Sequence, residues 1–407
     1  MEGKVLLAIG GCVVVAAVTY ILQGGKKTGH KKKKQLGVPG LVNNGNTCYL
    51  NSVLQALASV STFLSWIEII SEEHENQNKL GKLTSEMLTF MHILNQSCFE
   101  QKVYDASVIF QTLSSHGWVI SREQQDAHEI FQVLISTLAD EQQHASQMTW
   151  NSVLSSQDML AIHDESIVLR SGVRASKVQR KSLSPFSGLF GNQMWCKTCS
   201  YKYPVKFDSF DTVSLSLSSS FQFCSITLEA LIRDFMCSEV LESFQCSGCG
   251  EVNGEKTSLL KKLSIGKLPQ CLCFHINRTY WQNGSAYKNN TFVTFSECLD
   301  IKPYCYNSSK INDEILRVSS LCSSKSTDEK CKTSQSRWMV NTSYTLVAVI
   351  IHLGVVEKGH YLTFRKVNDT WYFISDNNTR VAPLSHVLHS NPYILFYERT
   401  MLADNEE

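Results

Sequence analysis

Two Cys-x-x-Cys pairs place the tightest constraint on how this chain folds. Cys196 and Cys199 form the first pair and Cys246 and Cys249 the second, with 46 residues between them. Each pair has the spacing that grips one side of a tetrahedral zinc ion, so a shared ion would join two distant segments. All four positions are thiols, which leaves no ligand position for water and predicts one structural Zn²⁺ and no catalytic metal. The interval is too long for a simple zinc ribbon, so at least a β-hairpin is expected between the pairs.

The composition of the 407-residue chain excludes several classes of protein. Its 38 basic and 37 acidic residues nearly cancel, so no global charge favours nucleic-acid binding. Its 15 cysteines are odd in number and are not spaced like the disulfide framework of a small secreted domain. Metal-bound and free thiols in a reducing compartment fit this pattern better.

The first 36 residues differ from everything that follows. After a short tail (1–4), residues 5–22 are continuously apolar or small, which is long enough for a transmembrane anchor in a lipid bilayer. A secretory signal is the competing interpretation, but the run exceeds a typical signal core and no small-residue cleavage site follows it. Residues 23–36 form a basic linker, whose lysines place the rest of the chain in the cytosol by the positive-inside rule. Such an anchor fits the mitochondrial outer membrane or the endoplasmic reticulum.

The rest of the chain is predicted to form one α+β domain over residues 37–400, followed by a tail at 401–407. Helical spacing of apolar residues extends from Cys48 to about Leu138, and strand-like alternation begins near Phe186. Two polar stretches without strong periodicity are predicted to be loop-rich insertions, at 139–182 and 305–338.

A turn rich in Asn and Gly delivers one cysteine, Cys48, to the start of a helix. Asn46 or Thr47 is suited to cap that helix, and apolar residues at a four-residue repeat predict one buried helix face. Unpaired N–H groups and the helix dipole at this position favour thiolate over thiol. Cys48 is therefore a candidate nucleophile; the alternative is a buried structural cysteine behind an Asn-rich turn.

A thiol nucleophile needs a base, and two histidines far downstream compete for that role. His360 follows a glycine at the start of a predicted strand, whereas His352 lies at the end of the preceding strand. Hairpin pairing of 360–366 with 370–374 would bring Ser375 and Asp376 near His360, as a catalytic triad requires. The same Ser-Asp-Asn-Asn sequence is also an ordinary turn.

Five ordered motifs in this chain resemble the ubiquitin-specific proteases, which are papain-like cysteine enzymes that remove ubiquitin from lysine side chains. Together the motifs span Pro39 to Arg399. In chain order they are segment 40–55, segment 124–131, the two cysteine pairs taken together, segment 268–278, and a closing motif formed by 359–364 and 393–397.

The resemblance implies a hand-like fold: a helical thumb with Cys48, a β-rich palm with His360 and Ser375, and zinc-tipped β fingers that hold the globular body of ubiquitin. It implies ubiquitin and polyubiquitin chains as partners, and attack by Cys48 on the terminal Gly carbonyl of ubiquitin. The family's base then falls on His360, and its oxyanion-stabilising amide falls on Asn43, five residues before the nucleophile.

One position departs from the family's pattern. Where most members have Asn or Asp as the third catalytic residue, this chain has Ser375, followed by Asp376. A hydroxyl accepts the imidazole Nδ1–H bond without a charge, so the expected loss is on the order of tenfold in rate. The alternatives to an active protease are a weak or inactive ubiquitin-binding scaffold with the same fold and a membrane-tethering adaptor.

The N-terminal segments carry a further resemblance within the family. The anchor (5–22), the basic linker (23–36) and the early cysteine are most similar to a member held in the mitochondrial outer membrane. This similarity implies action on ubiquitinated membrane-associated proteins and opposition to mitophagy, with an endoplasmic-reticulum anchor as the alternative.

Overall fold

The computed structural model describes most of the predicted catalytic domain. The anchor (5–22), the linker (23–36) and the tail (401–407) lie outside the described residues, as does most of each predicted insertion. The described ranges are 37–75, 81–97, 102–119, 123–145, 184–217, 226–249, 256–306, 341–356 and 358–400.

The helices come early in the chain and the strands dominate after residue 184, as predicted. The helices are α1 (Cys48–Leu57), α2 (Ser61–Glu75), α3 (Lys82–Asn95), α4 (Ser107–Ser115), α5 (Ala127–Ala145), α6 (Leu228–Phe235) and α7 (Leu384–Leu388), with a 3₁₀ turn at Lys302–Tyr304. The strands are β1 (Gly40–Leu41), β2 (Val103–Tyr104), β3 (Gly188–Cys196), β4 (Lys206–Phe210), β5 (Val213–Ser216), β6 (Ile226–Thr227), β7 (Glu239–Phe244), β8 (Thr257–Lys267), β9 (Cys271–Asn277), β10 (Thr279–Gln282), β11 (Ser285–Lys288), β12 (Val293–Thr294), β13 (Cys298–Asp300), β14 (Ser343–Gly354), β15 (Gly359–Val367), β16 (Thr370–Ser375), β17 (Asn378–Ala382) and β18 (Ile394–Arg399).

An eight-stranded sheet forms the centre of the domain. Its order is β17-β16-β15-β14-β18-β9-β5, with β13 added beside β14. The predicted hairpin is present, since β15 and β16 pair antiparallel and Phe364 lies opposite Phe373. Helices α1 to α5 pack on one face of this sheet, and α6 and α7 pack on the other. Side chains on β15 alternate between these two cores: Tyr361 belongs to the first, and Leu362 and Phe364 belong to the second.

Helix α1 is buried on every side, whereas the apolar repeat predicted a single buried face. All ten of its residues are buried, including the polar Asn51, Ser52 and Gln55. The helix contacts α5 and α3 on one side and the strands β14 to β16 on the other. Its polar side chains are tolerated there because they are hydrogen-bonded: Ser52 donates to the carbonyl of Tyr49 within the helix, and Asn51 and Gln55 bond to neighbouring segments, as described below.

Two other helices begin at carboxylates supplied from elsewhere in the fold. Glu398 of β18 accepts hydrogen bonds from the backbone N–H of Thr62 and from the hydroxyls of Ser61 and Thr62 at the start of α2. Glu141 of α5 accepts hydrogen bonds from the N–H groups of Leu83 and Thr84 in α3. A carboxylate at a helix N-terminus satisfies unpaired donors and interacts favourably with the helix dipole.

The contacts of Glu141 lie in a part of α5 that was not predicted to be helical. The segment 139–182 was predicted to be a loop-rich insertion, but its first residues, 139–145, continue the helix. Glu141 holds α3 and lies 2.8 Å from His116 Nε2. These contacts keep the last two turns of α5 against the core although the local sequence is polar.

A second, four-stranded sheet carries the cysteine pairs. Its order is β4-β3-β8-β7. The segment between the two cysteine pairs contains four strands, β4 to β7, and helix α6, which is more than the minimum of one β-hairpin that was predicted there. Cys196 ends β3, and Cys246 follows β7. The strands thus bring the two pairs to one end of the sheet.

Within the described ranges, no single helix is both long and apolar enough to cross a membrane. Helices Cys48–Leu57 and Ser61–Glu72 meet that length and composition only when taken together, and they are bent by 89°.

Candidate active site

The Asn-rich turn before α1 is held by its own side chains. Thr47 is the N-cap residue, but its side chain makes no cap hydrogen bond; its hydroxyl accepts the N–H of Asn44 at 3.0 Å instead. Asn43 Oδ1 accepts the N–H of Thr47 at 3.1 Å, and Gly45 adopts a positive φ of 98°. The turn therefore places Cys48 at the first helical position, as predicted, although by a network rather than by a simple cap.

Cys48 is nearly inaccessible, with 3% of its surface exposed. Burial raises the pKa of its thiol, and the backbone N–H of Tyr361, which bonds to the sulfur, opposes this by lowering the pKa. The negative charge of Asp376 raises the pKa further. The prediction that the helix start favours the thiolate is thus wrong for the structure as it stands, because burial outweighs the helix terminus. Ionisation of Cys48 requires a proton acceptor beside it.

The strand that supplies the Tyr361 N–H also carries His360. His360 Nε2 lies 2.8 Å from the hydroxyl oxygen of Ser375 at the end of β16. Sequence reasoning predicted this partner but assigned the bond to the other ring nitrogen, Nδ1. Because Nε2 is engaged by Ser375, Nδ1 is the nitrogen left to exchange a proton with a thiol.

Asp376 joins three parts of the site. Its Oδ1 accepts a hydrogen bond from Asn51 in α1 at 2.8 Å, and its Oδ2 accepts one from Asn43 at 2.9 Å. Oδ2 also lies 3.9 Å from His360 Nε2, and the backbone carbonyl accepts the N–H of Leu41. Its side chain is 11% exposed, and its positive φ of 50° is that of a tight turn. Asp376 is therefore both a turn residue and a direct link between the turn, the helix and the histidine.

His352, the rival base, has a packing role. Its ring stacks on Tyr361 at 4.4 Å, and burial followed by the charge of Lys288 lowers its pKa to about 4. A Cβ on Gly359 would lie 2.1 Å from His352 Nε2, so only glycine fits beside this ring. The geometry favours His360 over His352 as the base, since His360 has an orienting partner and His352 is held neutral.

The segment 124–131 meets the site at two points. Gln124 Oε1 accepts the N–H of Gly359 at 2.9 Å, and Asp126 accepts the hydroxyl of Tyr393 at 2.6 Å and the N–H of His128 at 2.7 Å. The first contact fixes the start of the strand that carries His360. The second joins the beginning of α5 to the sheet.

Two residues of the site were missed by sequence reasoning, Asn51 and Gln55. Asn51 donates to the carbonyl of Val42 at 3.0 Å as well as to Asp376, and Gln55 donates to the carbonyl of Pro39 at 2.9 Å. The sequence feature that could have identified them is the presence of two amide side chains in a helix otherwise rich in apolar residues.

The four predicted metal ligands lie together. The sulfurs of Cys196, Cys199, Cys246 and Cys249 are all within 4.8 Å of one another, and two sulfur–sulfur distances are 3.8 and 3.6 Å. A tetrahedral Zn–S distance of about 2.3 Å gives sulfur–sulfur edges of about 3.8 Å, whereas a disulfide needs about 2.05 Å. The donor set and its size fit one tetrahedral metal ion.

The sequence profile described as "UCH: Ubiquitin carboxyl-terminal hydrolase" matches residues 39–397. The chain therefore belongs to the ubiquitin carboxyl-terminal hydrolase family and is a cysteine-type deubiquitinating enzyme.

Particular relatives extend over almost the whole chain. Ubiquitin carboxyl-terminal hydrolase 30 of Xenopus tropicalis is 33% identical, covering 96% of this chain and 86% of the relative. The Homo sapiens protein of the same name is 30% identical, covering 97% and 90%.

Solved structures show the same fold. The SAGA Ubp8/Sgf11/Sus1/Sgf73 DUB module bound to ubiquitin aldehyde matches with a TM-score of 0.62 at 22% identity, covering 97% of this chain and 76% of the other. The SAGA DUB module Ubp8-Sgf11-Sgf73-Sus1 matches with a TM-score of 0.59 at 22% identity, covering 96% and 75%. The predicted papain-like α+β fold of this family, with a four-cysteine cluster, is confirmed.

Close to the site lies a histidine that burial keeps neutral. His275 is 8% exposed, its ring stacks on His128 at 4.0 Å, and its Nδ1 lies 3.1 Å from Ser214 Oγ. Burial lowers its pKa to about 3, and the charges of His128 and Arg278 add to the effect. In mild acid, His275 therefore stays unprotonated in the folded protein but would bind a proton in the unfolded chain.

We predict that His275 makes the protein less stable in mild acid. The unfolded residue binds a proton near its ordinary pKa of about 6.5, while the folded residue stays neutral to about pH 3, so stability falls as pH drops below about 6.5. His275→Phe keeps a stacking ring and should reduce that slope by up to about 1.4 kcal/mol per pH unit. Urea unfolding between pH 7 and pH 4.5 measures the slope. The exposed His386→Gln serves as control, and an unchanged slope in His275→Phe would contradict the prediction.

Proposed function

We propose that Cys48 and His360 are the nucleophile and the general base that hydrolyse the isopeptide bond at the C-terminal Gly of ubiquitin. The observation that carries this proposal is the junction of α1 and β15. The backbone N–H of Tyr361 faces the Cys48 thiol and lowers its pKa, and the adjacent His360 lies 2.8 Å from the hydroxyl oxygen of Ser375. A buried thiol next to an oriented imidazole can lose its proton to that imidazole without being ionised beforehand.

The reaction then proceeds in two halves. His360 takes the proton of Cys48, and the sulfur attacks the Gly carbonyl to form a tetrahedral oxyanion. Collapse of this intermediate breaks the C–N bond; His360 protonates the departing lysine amine, and a thioester remains on Cys48. His360 next takes a proton from water, whose oxygen attacks the thioester and releases the ubiquitin carboxylate and the thiol.

In this proposal Asn43 stabilises the oxyanion together with the backbone N–H of Cys48. One amide proton of Asn43 is donated to Asp376 at 2.9 Å, and an amide group has a second proton to give. The backbone N–H of Thr47 donates a hydrogen bond to Oδ1 of the same Asn43 side chain. The side chain is therefore oriented at both ends before any substrate arrives.

Ser375 and Asp376 make different contributions to orienting His360. Ser375 makes the hydrogen bond, while the Asp376 carboxylate 3.9 Å from Nε2 supplies the charge that a hydroxyl lacks. This arrangement favours an active enzyme over the inactive scaffold suggested by the serine alone.

The four-cysteine cluster is proposed to hold one structural Zn²⁺. The ion would supply a crosslink between the end of β3 and the segment after β7, through Cys196, Cys199, Cys246 and Cys249. With four thiolate ligands it has no position for water and takes no part in hydrolysis.

We further propose that residues 5–22 anchor the enzyme in the mitochondrial outer membrane, with residues 37–400 in the cytosol. The apolar run followed by lysines at 26, 27 and 31–34 supports this topology. Ubiquitin and polyubiquitin chains on membrane proteins would be its substrates, and their removal would oppose mitophagy. The alternative location is the endoplasmic reticulum.

A ubiquitin carrying a C-terminal electrophile tests the catalytic assignment. The full chain is expected to form a covalent adduct, and Cys48→Ala is expected to form none. His360→Ala should react at least about 100-fold more slowly, because the base is lost. His352→Phe keeps the ring on Tyr361 and should react within about threefold of wild type. Gel shift and mass spectrometry of intact protein give the readout; an adduct that persists in Cys48→Ala refutes the proposal.

The metal content of the purified chain tests the zinc site. Elemental analysis is expected to find one zinc per chain, and Cys199→Ser or Cys246→Ser should lower that content and the melting temperature. Cys237→Ser replaces an exposed cysteine outside the cluster and should retain the metal. Full occupancy in both cluster variants would rule out these ligands.

A fusion of residues 1–36 to a fluorescent protein tests the location. Fluorescence is expected at the rims of mitochondria, whereas a fusion of 23–36 alone should be diffuse because it lacks the apolar run. A reticular or secreted signal from the 1–36 fusion would contradict the mitochondrial proposal.

A further inference from the structure

Arg365 of β15 is a charged residue enclosed in the core. Its surface is 0% exposed, and in the described part of the chain it forms no ion pair with a carboxylate. One guanidinium nitrogen donates to Gln55 Oε1 at 2.9 Å and to the carbonyl of Leu94 at 3.4 Å. The second terminal nitrogen, Nη2, donates to Asn95 Oδ1 and to the carbonyl of Ala58 at 3.5 Å. Four neutral oxygens thus surround a cation.

The ends of two helices supply these oxygens. Ala58 is the C-cap residue of α1, and Leu94 and Asn95 are the last residues of α3. The final carbonyls of a helix lack intrahelical partners and carry a partial negative charge. Two helix C-termini therefore take the place of a carboxylate, and one of them belongs to the helix that begins with Cys48.

Arg365 is also the last of three contacts between β15 and α1. The N–H of Tyr361 faces the thiol of Cys48 and lowers its pKa, and the hydroxyl of Thr363 donates to the carbonyl of Ser52 at 2.9 Å. Arg365, two residues further, bonds to Gln55 in the next turn. Two residues of a strand rise about 6.6 Å and one helical turn about 5.4 Å, so helix and strand stay nearly in step over these contacts.

We propose that Arg365 is a positioning residue that fixes how far α1 lies along β15, and thereby where Cys48 lies relative to His360. The proposal rests on the catalytic roles proposed above for these two residues. Apolar packing resists sliding poorly because it is non-directional, whereas the rigid guanidinium fork fixes both helix ends. Lysine would provide the charge but not the fork, so it should replace Arg365 only in part.

Steady-state cleavage of a ubiquitin amide by the full chain tests the proposal. Arg365→Met is expected to lower kcat about 10- to 100-fold with KM within about twofold, because Arg365 is buried away from substrate while Cys48 is displaced. Arg365→Lys should recover part of the loss. The rate of Cys48 adduct formation with the ubiquitin electrophile should fall in parallel with kcat, and its pH profile should shift.

A matched control distinguishes a positioning role of Arg365 from a purely structural one. Leu231→Ala removes a buried side chain of α6 on the other face of the sheet and should lower stability while leaving kcat within about twofold below its melting temperature. Asn95→Ala removes one acceptor and should lower kcat about threefold, which carries the test if Arg365→Met does not fold.

The outcomes distinguish this inference from the function on which it rests. If wild type neither cleaves the amide nor reacts with the electrophile at Cys48, the proposed catalytic function fails. If wild type does both, but Arg365→Met or Asn95→Ala changes kcat no more than Leu231→Ala does, the positioning role is overturned.

Discussion

The geometry of the candidate site is built around the line of contact between one helix and one strand. Helix α1 lies along β15, and at successive turns it meets a backbone N–H, a hydroxyl and a guanidinium group. Asp376 adds a fourth bond from the adjacent turn, at Asn51. All of these partners are polar and buried, so each would be costly to leave unpaired. The junction of α1 and β15 is therefore held by directional bonds within an otherwise apolar core.

Burial lowers the pKa of two histidines and of an arginine, with different consequences for their charge at neutral pH. It keeps His352 and His275 neutral, with pKa values lowered to about 4 and about 3. Burial also lowers the pKa of Arg365, to about 9, but from an ordinary value so high that the guanidinium stays charged at neutral pH. Arg365 therefore carries a charge inside the core, whereas His352 and His275 are neutral rings that stack on Tyr361 and His128.

Local patterns in the sequence predicted much of the fold and of the site. Strand alternation located β14 to β16, and their hairpin geometry joined His360 to Ser375. The cysteine spacing predicted the four-thiol cluster. The contacts of Asn51 with Asp376 and of Gln55 with Arg365 could not be predicted in this way, because the partners lie more than 300 residues apart in the sequence and periodicity reports only whether a face is apolar. The choice of Nε2 over Nδ1 depends likewise on a ring orientation that only packing determines.

The cap of α2 has a consequence for the order in which the enzyme is made. Glu398 binds the start of this helix across a sequence separation of 336 residues, and Asp376 reaches Asn51 across 325. A ribosome makes α1 and α2 long before it reaches either carboxylate. During synthesis the start of α2 and the side chain of Asn51 therefore lack these partners until Asp376 and Glu398 have been added. The two early helices are thus joined to the sheet by contacts that only a much later part of the chain can supply.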